Sequence, residues 1–145
     1  MKYAYSIKTT KVKEPDFPYP NTPLGCTSEV LNFVKSLQDS DVEKMILLYL
    51  DAQNKLICIQ IVTGVVNQCV VYPREVLRHA LLVNASAMIM VHNHPSGNRT
   101  PSDADIRLTK LIQEAAKILD VILHDHLIVA ADQGYFSMRE EGLVF

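Results

Sequence analysis

No two of the three cysteines, Cys26, Cys58 and Cys69, stand in a Cys-x-x-Cys spacing, and their odd number leaves no fully paired set. That excludes a disulfide framework and a zinc ribbon, and it fits a reducing cytoplasm. No apolar run approaches the roughly 18 residues of a membrane span. The opening stretch, MKYAYSIKTTKVKEPDFPYP, also lacks the apolar centre of a signal peptide, so neither secretion nor insertion is expected. Strong charge of either sign is missing too: the formal net charge is −2, and Lys2, Lys8, Lys11 and Lys13 form a loose tail rather than a stripe. Such a tail reads as a solvated segment, and nothing in the charge pattern announces a nucleic-acid partner. There is no internal repeat and no low-complexity segment.

What is present is a globular composition, 48% hydrophobic and 21% charged, in 145 residues. A chain of about 150 residues buries roughly 68–70% of its unfolded surface, which is sufficient for one core. Residues 14–25, EPDFPYPNTPLG, hold four prolines and a glycine. This marks residues 1–26 as an extended arm, with Phe17 and Tyr19 packing on the domain that spans residues 27–145. TSEVLNFVKSLQ then has Thr27 or Ser28 as N-cap and Val30, Leu31, Val34 and Leu37 at helical spacing. KMILLYLD and KLICIQIV, parted by AQN, predict a strand pair, and GVVNQCVVY a further strand. PREVLRHALLV predicts a helix opened by Pro73, and SDADIRLTKLIQEAAKILD a longer amphipathic one. AMIMV, VILHDHLIVA and YFSM complete the strands. The sum is an α/β or α+β fold, a mixed β-sheet layered with helices.

The chemistry gathers in VHNHPSGNRTPSDAD, residues 91–105. Residues i and i+2 of a strand share a face, so His92 and His94 can aim both imidazoles at one point. Pro95 and Gly97 turn the chain, and Asp105, in the first turn of the next helix, can face the strand end as a third metal ligand. Ser102-x-x-Asp105 equally fits a capping box, in which both side chains serve the helix terminus. Asp103 reads as a first-turn charge on the helix dipole. A second His-x-His, His124 and His126, has no carboxylate-bearing loop after it; His126 and Asp125 read as structural groups near the sheet edge, with support of a metal ligand as the lesser alternative. His79 reads as a packing histidine.

His92-x-His94, seven residues, Ser102, two residues and Asp105 together resemble the JAMM motif of the JAB/MPN metalloprotease superfamily. HNHPSG followed by PSDAD, preceded by YPRE and followed by DHLIV, resembles its RadC-like branch over residues 27–145. The resemblance implies a cytidine-deaminase-like JAB/MPN architecture and a Zn²⁺ ion held by His92, His94 and Asp105. It implies Ser102 as a hydrogen-bonding group at the activated water or oxyanion, and an upstream glutamate as general base. Glu43, opening EKMILLYLD, takes that role, with Glu75 of YPRE as the rival. The implied activity is hydrolysis of peptide or isopeptide bonds in a peptide or protein substrate. The alternative is an accessory protein of DNA repair or recombination, in which the zinc is structural or vestigial. Asn93 stands where much of the superfamily has serine or threonine. The helix-hairpin-helix region of full-length RadC-like proteins has no counterpart in the proline-rich residues 1–26, which counts against direct DNA binding.

Overall fold

The computed structural model describes residues 3, 4, 6, 20, 22–35, 37, 40–64, 70–131 and 134–145. Most of the expected arm, including Phe17, Tyr19 and the lysine tail, lies outside these residues, as do residues 65–69 of the expected strand GVVNQCVVY. The described ends of that stretch, Gly64 and Val70–Tyr72, are not strand.

The elements run α1 (Thr27–Phe33), β1 (Lys44–Leu50), β2 (Leu56–Thr63), α2 (Pro73–Leu82), β3 (Ala87–Asn93), α3 (Asp103–Ile118), β4 (Ile122–Val129) and β5 (Tyr135–Ser137). The five strands form one mixed sheet in the order β2-β1-β3-β4-β5. Only β3 and β4 are parallel, joined by α3 as a crossover; the other neighbours are antiparallel. The α+β fold and layered mixed sheet expected from the sequence are therefore what forms.

Local chemistry accounts for the joints. The β1–β2 turn closes on Asp51, whose Oδ1 accepts from the amides of Gln53 and Lys55, while Asn54 takes a left-handed φ of 60° that asparagine tolerates. Pro73 occupies the first turn of α2, where its missing N–H costs nothing. Helix α1 is shorter than its apolar spacing predicts. It is capped at Cys26 rather than Thr27 or Ser28, with the Glu29 carboxylate accepting from the amides of Gly25 and Cys26. It ends at Phe33, yet Val34 and Leu37 remain buried because the following turn keeps them on the sheet.

Helices on both faces bury the central strand on both sides: every residue of β3 is buried, and Ala87–Val91 are all apolar. One core packs α2 and α3, through Val76, Ala80, Ile112 and Ala116, on Leu47, Tyr49, Met88 and Met90. The other packs Leu24, Val30 and Val34 on Leu48, Ile89, Val91 and Leu127. Leu123 belongs to the first core and Leu127 to the second although they are four residues apart, because the β3–β4 register shifts between Met88 and Ile89. That bulge inserts one residue into β4 and reverses which face follows it.

Candidate metal centre

At β3 the sheet changes sense: one neighbour is antiparallel, the other parallel. The carboxyl end of a parallel strand at such a reversal is where open α/β sheets form ligand crevices. The loop from β3 to α3 starts there. Gly97, at φ 82°, lets the chain double back, its amide donating to the His94 carbonyl.

Four side chains meet at this end: Glu43, His92, His94 and Asp105, with ligand atoms all within 4.8 Å of one another. His92 is fully buried, and the other three are slightly open to solvent. His92 Nε2 lies 2.8 Å from His94 Nε2, and Asp105 places Oδ1 3.5 Å from the first and Oδ2 3.3 Å from the second. A tetrahedral ion with bonds of about 2.0–2.1 Å needs ligand atoms roughly 3.3–3.4 Å apart, so the three side chains fit such an ion after shifts of about half an ångström. Glu43 Oε1 stands further off, 3.9 Å from His92 Nε2. These residues could hold a metal ion.

The arrangement is braced from every side. His94 Nδ1 is 2.7 Å from the Asn98 carbonyl, which only accepts, so the proton sits on Nδ1 and Nε2 is free to ligate. The capping box weighed against ligation in the sequence does form: Asp105 N–H donates to Ser102 Oγ, and Ser102 N–H donates to Asp105 Oδ2. The two roles coexist, because the same carboxylate reaches the histidines. Ser102 Oγ is thereby the N-cap acceptor of α3, a role that does not use its own hydroxyl proton.

Asn93 points to the opposite face and holds the segment that carries Glu43. Its Oδ1 accepts from Lys44 N–H at 2.7 Å, and its Nδ2 donates to the carbonyls of Val42 at 2.9 Å and Ser40 at 3.3 Å. The clamp brackets Glu43. Glu75 is elsewhere, in the first turn of α2, paired with Arg78 at 2.6 Å on the surface.

Electrostatics follow from burial and proximity. Burial raises the Glu43 carboxyl above its ordinary 4.5, against the lowering pull of His92 and His94. Burial works to raise Asp105 as well, but the imidazoles of His92 and His94 that face it and the Ser102 amide hold it well below the usual carboxylate range. The bond to Asp105 raises His94 above 6.5, against burial.

The bulge in β4 separates the second His-x-His. His124 turns to Asn54 Oδ1 at 2.8 Å, whereas His126 is fully buried, its Nε2 2.6 Å from His92 Nδ1 and its Nδ1 against Thr109. The expectation of His126 as a sheet-edge group is thus corrected: it backs a candidate ligand from inside the core. Asp125 is structural as expected, accepting from Ser137 Oγ and from the amides of His126 and Arg139. Thr109 escaped notice in the sequence, although its place four residues after Asp105 puts both on one side of a helix. A separate hollow of about 580 Å³, lined by Cys26, Val30, His124, Asp125 and Arg139 among others, includes none of the four clustered residues.

Fold and site define a class: a mixed-sheet α+β domain with a His-His-Asp set, backed by a glutamate, that could hold a metal ion at the end of its central strand. The family model described as RadC-like JAB domain matches residues 24–143. The chain belongs to the RadC-like JAB domain family. Among the described residues, no helix is long and apolar enough to cross a membrane.

Proposed function

We propose that this chain is a zinc-dependent hydrolase of peptide or isopeptide bonds, acting on a peptide or protein substrate. The observation that carries this reading is the convergence of two imidazoles and two carboxylates at a partly open strand end, in a chain of this family. His92, His94 and Asp105 would hold the ion, which supplies a polarised carbonyl and a water of pKa near about 7. Glu43 stands just beyond that set, and burial raises its carboxyl toward the range a general base needs. It takes the proton from the attacking water and passes it to the leaving amine, while Asn93 holds its segment in place. Ser102, whose hydroxyl proton the helix cap does not use, donates to the developing oxyanion, a role in which one donor contributes about 2.7–4 kcal/mol.

The test is profiling of zinc-loaded protein against peptide and isopeptide libraries, with Glu43→Gln as the blank. Cleavage by the wild type and none by the variant supports the reading. Equal cleavage by both transfers the base role elsewhere, and no cleavage of any amide by a fully loaded protein overturns it.

A further inference from the structure

We propose that Thr109 and His126 are positioning residues that set the tautomer of His92 and so keep its Nε2 lone pair aimed at the metal. The inference rests on the reading of the four-residue cluster as a metal centre. It concerns groups that no ligand set includes: Thr109 on α3 and His126 on β4, both fully buried.

Proton accounting gives the direction. The Thr109 hydroxyl has one proton, and it donates that proton to the Asp105 carbonyl one helical turn earlier, at 2.7 Å. Toward His126 it therefore presents a lone pair, at 2.5 Å from Nδ1. His126 Nδ1 must carry a proton to make that contact. Among the described residues the partners of the two His126 nitrogens are Thr109 and His92, with no carboxylate against either; a buried imidazole there carries one proton only, so His126 Nε2 is an acceptor. It accepts from His92 Nδ1–H at 2.6 Å, and His92 Nε2 is left unprotonated where it meets His94 and Asp105.

The chain also closes on itself. It starts at the backbone carbonyl of Asp105, passes through Thr109 and His126, and ends on His92. A helix-borne and a strand-borne ligand are thereby joined through the core as well as at the ion, which fixes the position of α3 relative to β3. If the chain ran the other way, His92 would carry its proton on Nε2 and could not ligate. The Thr109 hydroxyl selects between the two.

The test uses the full chain, ring-¹⁵N-labelled at histidine and loaded with Zn²⁺, and reads which imidazole nitrogens bear protons by long-range ¹H–¹⁵N correlation. Protons on Nδ1 of both His92 and His126 are expected; a proton on Nε2 of either overturns the proposal. Zinc affinity, measured by chelator competition, gives the second readout. Loss of an outer hydrogen-bond partner weakens metal binding about 10–100-fold, so Thr109→Val should fall in the lower part of that range, Thr109→Ser should restore binding and His126→Leu should fall in the upper part. The threonine series stands if His126→Leu does not fold. Zinc binding that depends on His94 but is unchanged in Thr109→Val overturns this inference alone. A wild-type chain that binds zinc no better than His94→Ala overturns the metal centre and this inference together.

Discussion

Asn93→Ala would test whether the residue between the two histidines anchors the glutamate-bearing segment. The side chain is 1% exposed and makes three hydrogen bonds, to Lys44 N–H and to the carbonyls of Val42 and Ser40. Truncation leaves one backbone donor and two acceptors without their partner. A buried group left unsatisfied costs about 1–3 kcal/mol, but Lys44, Val42 and Ser40 are only half-buried and water can replace part of what is lost. A net loss of about 2–4 kcal/mol follows, a large share of the roughly 5–15 kcal/mol that holds a domain together. Urea denaturation with a chelator present reads this loss on the metal-free chain, separate from stabilisation by bound ion. The candidate ligands His92 and His94 flank position 93 without depending on its side chain, so zinc content after reloading should match the wild type while hydrolysis falls. A stability change within about 0.5 kcal/mol, the range of an ordinary surface substitution, would refute the clamp.

Glu43→Gln should retain zinc and lose hydrolysis, whereas Glu75→Gln, which disturbs only a surface pair with Arg78, should leave both unchanged; side-by-side elemental analysis and turnover assays decide between the two glutamates. Ser102→Ala removes the N-cap acceptor of α3 and should cost about 0.5–2 kcal/mol in chemical denaturation, with zinc content retained. The stability of the metal-free chain should depend on pH through His94 and Asp105. His94 is raised in the fold, so its contribution is full below its ordinary 6.5 and is lost as pH rises through the raised value. Asp105 is lowered, so its contribution is present above its ordinary 3.8 and is lost as pH falls below that. Urea midpoints measured in chelator should therefore be highest between these values, and a midpoint that keeps rising above neutrality would contradict the pairing.

The loop from His92 to Asp105 was legible because its geometry is local. Strand alternation, a glycine turn and a helix start leave little freedom in where the three candidate ligands point. The long-range partners were legible only in part. Glu43 was reached through the resemblance, since nothing in the spacing between it and the histidines specifies an antiparallel β1–β3 pairing that sets Met45 opposite His92. The role of His126 was hidden by the bulge in β4: simple alternation puts His124 and His126 on one face, and the inserted residue sends them to opposite ones. Helix α1 was overextended because Val34 and Leu37 keep helical spacing while lying in the turn beyond Phe33, so burial outlasted the hydrogen-bond ladder.

The central claim is that His92, His94 and Asp105 hold one ion together. Wild-type protein and Asp105→Ala, stripped with chelator, reloaded with zinc and dialysed, should differ in elemental analysis: an ion retained by each wild-type chain, and none by a variant that remains folded by circular dichroism. Equal zinc in both would contradict the central claim.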